Sequence, residues 1–502
     1  MTLAPDRTVT FTYLDAVAEV QRRGRFGIRL GLGRTRALLG ELGSPERSIR
    51  GALVAGTNGK GSVLALVGSA LRQAGLRAGE TPKPHLVTYR ERMQVAGAPV
   101  SAATFARLVD GATDAVERVA RVHGEPTEFE LLTALAFRWF ADVGVDLAVI
   151  EVGLGGRLDA THAWDGGVAA ITNVELDHTA HLGDTIPAIA REKAAIVMPG
   201  DRAVTGATGD ALRVVRERAR RAGAPLSVAA APPLLDLDRD GIVVDLDGLG
   251  PTRVGLRGRH QAANVAVADG VLDALARAGI AVVDADARRR GYARATWPGR
   301  LELLAVGADG VATAIGGPSM DPADAPAPGA AGAGAPAAPG VAVGREVLLD
   351  GAHNPGGAAV LAVALDDLRP FLTGGSDRRP PPLTLITAVM GDKDVAGVVE
   401  ALSRSAALAG GRVMCTTLPE ARALAPDELA TAWRRSGAAI SIAVEPDPIR
   451  ALHLAIADAP GPIVVAGSLY LVGAVRAALV RDPVLADPDD GATAAGAREW
   501  GR

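Results

Sequence analysis

A chain of 502 residues is too long for one core and long enough for two, and with only 3% aromatic side chains those cores must be built from Ala, Val and Leu. The formal charge of -4 leaves no polyelectrolyte surface for nucleic acid, so any bound anion must be held by local Lys, Arg and backbone N–H groups. The single cysteine, Cys415, excludes a disulfide within the chain and fits a reducing compartment.

The start, MTLAPDRTVTFTYLDAV, has no continuous apolar core for a signal peptide, and no apolar run is long enough to span a bilayer. The expectation is a cytoplasmic protein with no membrane or nucleic-acid partner. ALVA, from Ala52, reads as a buried strand, and SVLALVGSALRQAG behind it as a helix closed by Gly75. EFELLTALAFRWFADVG predicts another helix. DLAVIEVGLGG and VAAITNVELDH are apolar runs that end in polar or glycine-rich turns. Apolar strands alternating with helices predict an α/β fold, with a mostly parallel sheet and helices on both of its faces. Ligands of such sheets sit beyond the carboxyl ends of the strands.

The rhythm returns in VLLDGAHNPGG, LTLITAVMGDKD, RVMCTTLP, AISIAVEP and PIVVAGSLYLVG, which predict a second, smaller, Rossmann-like α/β domain. ATWPGRLELL carries Pro-Gly punctuation suited to a joint. The expected domains are therefore 1–299 and 300–484. Residues 316–344 are dominated by Ala, Pro and Gly and read as a mobile surface insertion, and 485–502 as a loose tail.

GTNGKGS, Gly56 to Ser62, follows the first buried strand. It departs from the strict P-loop spacing, because Gly56 lies too close to Gly59-Lys60 and Gly61 intervenes before Ser62. The physics of a phosphate cradle survives that change. Glycines let the backbone approach phosphate, N–H groups turn inward, and a helix N-terminus adds positive potential. The alternative is a tight strand-to-helix turn without a ligand. Glu151 ends another buried strand, where a carboxylate needs a cation, either a metal or a lysine. His178 follows a third strand of the same sheet, so a Glu–His pair around Mg²⁺ is one reading, since that ion keeps waters and takes few protein ligands beside phosphates. Glu192-Lys193 sits on the next helix. Asn264 in GRHQAAN, Arg300 in WPGR, Asp350 and His353 in DGAHNP, and Lys393 in GDKD are weaker candidates taken singly. Asp350 ends a strand, where it could meet a nucleotide ribose across an interdomain cleft.

In order, GTNGKGS, PHLVTYRERM, EVGLGGRLDAT, DHTAHLGDTIPAIAREKAAI, GRHQAAN, WPGRLE, DGAHNP, GDKD and GSLYLVG resemble the folylpolyglutamate synthase/dihydrofolate synthase family, the folate branch of the Mur ligases. The resemblance runs from about Phe26 to about Ala478. It implies an ATP-dependent ligase that adds L-glutamate to dihydropteroate or to the glutamate tail of a reduced folate, through an acyl phosphate. Gly56, Thr57, Asn58, Gly59, Lys60, Gly61 and Ser62 would hold the ATP phosphates. Glu151 and His178 would be ligands of two Mg²⁺ ions, with Ser62 a further candidate. Lys193 matches a lysine that becomes a CO₂-derived carbamate. Asn264 would contact adenine, Asp350 the ribose and Arg300 phosphate, with His353 close by. Phe129, Glu130, Leu158, Asp159 and Ala160 would line the pterin side. Lys60, His178, Lys193 and Arg300 would carry the catalysis, in a protein whose relatives are commonly monomeric.

TPKPHL departs from the pattern, because Lys83 replaces a serine that ligates metal in the family. A protonated ammonium cannot ligate Mg²⁺, so either the first ion site is filled differently, with Ser62 and waters, or Lys83 itself contacts phosphate; the expectation is an altered first site with the chemistry retained. Two alternatives stay open at this point: a Mur-type ligase for a different carboxylate, and an ATP-binding relative that joins nothing.

Overall fold

A computed structural model of the chain describes residues 10–24, 27, 29–307, 310–315, 345–372, 382–418, 420, 422–459 and 461–488. The Ala/Pro/Gly insertion expected at 316–344 lies outside the described residues. The chain separates into two compact units, the first from 1–231, 263–291 and 485–502 and the second from 232–262 and 292–484.

The first unit is built on an eight-stranded sheet. Its strands are β1 (Gly51–Ala55), β2 (Ala78–Thr81), β3 (Gln94–Val95), β4 (Ala98–Pro99), β5 (Leu147–Glu151), β6 (Gly167–Ile171), β7 (Arg202–Thr205) and β8 (Leu226–Val228). They are ordered β4-β3-β2-β5-β1-β6-β7-β8. All pairs from β2 through β8 are parallel; only β3 and β4 add antiparallel edges. Every residue of β1 and β5 is buried, as expected where helices cover both faces of a parallel sheet. Val54 lies in register with Glu151, which sets the end of β5 beside the last turn of backbone before the cradle. The helix Glu128–Val143 starts on a capping box, with Thr127 accepting from the Glu130 N–H and Glu130 from the Thr127 N–H. The core here is largely aliphatic, with Tyr13, Phe105, Phe137, Phe140 and Trp164 as its few buried large rings.

The second unit holds a seven-stranded sheet of β12 (Glu302–Val306), β13 (Ala312–Ala314), β14 (Arg345–Asp350), β15 (Thr384–Thr387), β16 (Arg412–Cys415), β17 (Ser441–Val444) and β18 (Ile463–Ala466). Its order is β13-β12-β14-β18-β15-β16-β17. The run from β14 to β17 is parallel, and β12 pairs antiparallel with β14. A three-stranded antiparallel sheet of β9 (Leu234–Asp238), β10 (Gly241–Leu246) and β11 (Gly250–Val254) belongs to the same unit. This differs from a single boundary at Gly299. The reason is polar. The Arg257 guanidinium donates to the carbonyls of Arg239, Leu301 and Ile315, and Arg239 pairs with the buried Glu346 of β14 at 2.6 Å. Buried charges without such partners would be costly, so the small sheet stays with the strands that satisfy it.

The tail also departs from expectation at its start. Ala486 accepts from the Arg90 guanidinium at 2.9 Å and Asp487 lies 3.7 Å from Arg90, while 489–502 fall outside the described residues. Among the described residues, no helix is long and apolar enough to cross a membrane.

Candidate active site

The turn after β1 is shaped by its neighbour β6. The Thr57 N–H donates to the Asn173 carbonyl at 3.0 Å, and the Asn58 N–H to Asn173 Oδ1 at 2.8 Å. Asn58 Nδ2 donates to Glu175 at 2.9 Å, and Thr172 Oγ1 to the Asn58 carbonyl at 2.6 Å. Gly56 sits at φ 151°, and a Cβ there would overlap Thr172 Oγ1. Gly59 sits at φ 82° with the Asn264 side chain where its Cβ would be. Both positions therefore require glycine. The helix Lys60–Gln73 begins immediately after Gly59. Its first N–H groups have no intrahelical partner by geometry, and its macrodipole favours an anion there. Thr57 and Asn58, expected on phosphate, direct their N–H groups to Asn173.

Two lysines meet at this turn and a third lies at the end of β5. Lys60 Nζ donates to the carbonyls of Gly56 and Thr57, each at 3.1 Å, and Lys193 Nζ donates to the same Gly56 carbonyl at 2.8 Å. Burial first, and then the Lys60 ammonium, push the Lys193 amine down to about 7, against the pull of Asp177 and Asp159. Lys83 donates from Nζ to the Glu151 carbonyl at 2.6 Å and from its backbone N–H to the Glu151 carboxylate at 2.9 Å. Burial pushes the Lys83 amine down to about 8, opposed by Asp159 and Glu151 and reinforced by Arg92 and Lys60. Lys60 and Lys193 thus meet at Gly56, and Glu151 stands on the adjoining strand. His178, in a left-handed conformation at φ 49°, caps a short helix with its ring 3.8 Å from Asp177, whose charge also acts on Lys193.

Mg²⁺ requires oxygen or imidazole donors. Among the described residues no three His, Cys, Asp or Glu side chains converge as a metal site. Lys193 could serve an ion only as a carbamate, which would present oxygens in place of an ammonium. The Glu151 position does not fit one, since Lys83 has its N–H on the Glu151 carboxylate and its ammonium on the carbonyl of the same residue.

Beside Lys83 lies a narrow pocket lined by Thr81, Arg92, Phe129, Phe137 and Thr161 among others. The Lys83 ammonium lies 4.6 Å from the centroid of the Phe129 ring. Of the expected pterin-side residues, Phe129 lines this pocket. Glu130 is committed to Arg34 at 3.0 Å and to its helix cap. Asp159 accepts from the Leu154 N–H at 2.8 Å and from Thr161, so it shapes the glycine-rich turn. The Leu158 carbonyl accepts from the Gly31 N–H, and Ala160 is buried.

In the second unit, Arg300, Asp350 and His353 group at the end of β14. Asp350 accepts from the Leu301 N–H at 3.0 Å and the Ala352 N–H at 2.8 Å, and its carboxyl is pushed up by burial against the lowering effect of Arg300. His353 Nδ1 donates to the Gly351 carbonyl at 2.7 Å, and the Arg300 guanidinium packs over Gly351. His260 joins them, held neutral at about 4 by burial and by Arg300.

The chain is similar to known proteins over most of its length. Residues 341–479 match the family model of the dihydrofolate synthetase C-terminal domain. A dihydrofolate synthase/folylpolyglutamate synthase of Mycobacterium tuberculosis is 32% identical, across 95% of this chain and 96% of that protein. The chain belongs to the folylpolyglutamate synthase/dihydrofolate synthase family. Its Bacillus subtilis member is 38% identical over 58% of this chain and 70% of its own length. The chain spans about half the length of a Haloferax volcanii relative named for folylpolyglutamate synthase and dihydropteroate synthase together (34% identical; 93% of this chain, 51% of that protein). The solved M. tuberculosis folylpolyglutamate synthase in complex with ADP and AMPPCP superposes with a TM-score of 0.76 at 31% identity, covering 94% of this chain and all of that one.

Motif reading of this folylpolyglutamate synthase/dihydrofolate synthase sequence missed Thr172, Asn173, Glu175 and Asp177. All four follow β6, in the zone beyond the strand ends where ligands were expected, but only His178 was singled out there. Arg92 and His85 were also missed. Arg92 Nε donates to His85 Nδ1 at 2.8 Å, and burial together with that guanidinium holds the imidazole neutral, down to about 3.

Proposed function

We propose that the chain is an ATP-dependent ligase that joins L-glutamate to dihydropteroate, to the glutamate tail of a reduced folate, or to both. The observation that carries this is the meeting of Lys60 and Lys193 on one carbonyl of a glycine-lined turn at a helix N-terminus, in a chain of the family. A carboxylate is a poor electrophile until one of its oxygens becomes a leaving group. One carboxylate oxygen takes the γ-phosphoryl of ATP, giving an acyl phosphate and ADP. The glutamate amine then adds to the carbonyl carbon, and the tetrahedral intermediate expels inorganic phosphate and loses a proton to give the amide.

Lys60 and the N–H groups from Gly59 to Ser62 hold the phosphates, and Lys60 moves from the Gly56 and Thr57 carbonyls onto them. Preorganised positive charge is worth most where the transferring group gathers negative charge. His178, Lys193 as its carbamate and Ser62 are the ligands proposed for a nucleotide-borne Mg²⁺, which supplies further neutralisation of the phosphoryl when bound. Carbamate formation needs a neutral amine, and the lowered Lys193 supports it. Asp350 is proposed on the ribose, His353 beside it, Arg300 on phosphate and Asn264 on adenine, from the resemblance and from their placement in their own units. Phe129 is proposed on the pterin side of the pocket, next to Leu158, Asp159 and Ala160. A monomer in the cytoplasm completes the reading.

The test is ADP release with L-glutamate plus dihydropteroate, with L-glutamate plus tetrahydrofolate, and with L-glutamate alone. Release that requires a folate acceptor is expected, and the acceptor that works sets the specificity. No release with either acceptor would overturn the reading.

A further inference from the structure

Lys83 is held in place on every side. Its ammonium donates to the Glu151 carbonyl at 2.6 Å and lies 4.6 Å from the Phe129 ring centroid, and its N–H donates to the Glu151 carboxylate at 2.9 Å. Lys83 is half-buried, and a long side chain held against the protein loses part of its hydration and its rotamer freedom. Charge-assisted hydrogen bonding and cation–π attraction offset that cost here. Glu151 is in register with Val54, two residues before Gly56. The Lys83 charge is therefore fixed one strand away from the cradle, near enough for Lys60 to act on it.

We propose that the Lys83 ammonium is a built-in cation of the phosphate site and takes the place of one divalent ion, so that the chain binds its nucleotide with a single Mg²⁺. The inference rests on the ATP-binding part of the function proposed above. An ammonium has three N–H donors and no lone pair, so it cannot ligate a metal. A dication beside it would meet like-charge repulsion that solvent screens weakly at a buried strand end. Glu151, which would otherwise offer its carboxylate to an ion, instead orients Lys83. The positive charge near the phosphates is thereby encoded in the chain and does not depend on free cation concentration.

The experiment counts bound Mn²⁺ on the full chain with saturating AMPPCP, read from the electron paramagnetic resonance signal of free Mn²⁺. One ion per chain is expected for the native protein and for Lys83→Arg. Two are expected for Lys83→Ser, which exchanges the ammonium for an oxygen donor. Two ions on the native chain overturn the proposal. So does a single ion on a Lys83→Ser protein that binds AMPPCP and melts like the native chain. Should Lys83→Ser fail to fold, the native and Lys83→Arg counts decide alone, one supporting and two refuting. Loss of ADP release with every acceptor would sink the ligase reading and leave the ion count standing; failure of the native chain to bind AMPPCP would sink both.

Discussion

Gly56→Ala tests whether the clamp between β1 and β6 is what shapes the cradle. At φ 151° the backbone of residue 56 is in a region that L side chains rarely adopt, and an added Cβ would lie 3.0 Å from Thr172 Cβ while overlapping Thr172 Oγ1. Backbone strain of that kind costs about 1–3 kcal/mol. Overpacking adds about 1–3 kcal/mol. Displacing Thr172 Oγ1 from the Asn58 carbonyl, where it bonds at 2.6 Å, removes a net hydrogen bond worth roughly 1 kcal/mol. The sum is about 3–7 kcal/mol, most of it local to the turn. If the turn relaxes when empty and must be forced back when the nucleotide binds, that cost appears in affinity, about 100-fold or more in Kd. Isothermal titration with AMPPCP reads it, with thermal melts reporting any share taken by stability. Thr172→Ala in the Gly56→Ala background should recover part of the loss, because the steric component goes while the φ component stays. Native-like affinity and melting for Gly56→Ala would refute the account of the turn.

Further expectations follow from the same contacts. Lys193→Ala should reduce ADP release at least about 100-fold, the order of one lost electrostatic contact to the reacting group; Lys193→Arg, which keeps the charge but cannot form a lysine carbamate, should lose as much, and full turnover by the arginine variant would remove the carbamate. Thr127→Ala should cost about 1 kcal/mol through the lost helix cap, a fall of roughly 2–4 °C in Tm, with ADP release per folded molecule retained. Asp201 is pushed up to about 7 by burial and by its carboxylate neighbour Asp165. Unfolded, it ionises near its ordinary 3.8. Folding stability is therefore fully present below that value and declines as pH rises towards 7, because the unfolded chain sheds a proton that the folded one keeps. Asp201→Asn should melt higher than the native chain at pH 8, with the difference shrinking towards pH 4; a pH-independent difference would contradict the sign.

The cradle was legible because three local signals coincide within a dozen residues: an apolar run, glycines where the backbone must turn tightly, and a helical period beginning at Lys60. The parallel sheet was legible for a similar reason, since β1 and β5 are continuous apolar runs and β5 ends on a charge. The clamp from Thr172 to Glu175 was not. Its bonds to Thr57 and Asn58 join residues more than a hundred positions apart, and neither periodicity nor turn chemistry marks an asparagine that will accept from a distant backbone. The placement of β9 to β11 was hidden likewise. It depends on Arg257 and Arg239 finding carbonyls and a carboxylate in β12 to β14 and the residues around them, and the Pro232-Pro233 pair that opens the segment marks a turn without saying which unit the strands behind it join. Glu130 has a local role that its motif did not reveal. T-E-F-E before an apolar helix is also a capping box, and the Glu130 carboxylate accepts from the Thr127 N–H.

The separation of shape from charge explains which substitutions should act on which step. Glycines 56 and 59 with Thr172, Asn173 and Asn264 fix the path of the backbone, through bonds and close contacts that exist before any ligand arrives. Lys60 and Lys83 supply positive charge, and their ammonium groups donate to carbonyls of Gly56, Thr57 and Glu151. Those carbonyls are weak partners for a cation compared with a triphosphate, because they bring a partial charge where the phosphates bring a full one. Lys60 is thus positioned by an interaction that a phosphate can outcompete, at little cost in reorganisation, whereas Lys83 stays on Glu151. A change in the glycines should weaken every nucleotide alike, since it alters the path of the backbone whatever binds there. A change in the lysines should discriminate between the triphosphate and the diphosphate, since the charge they answer is concentrated on the group that leaves.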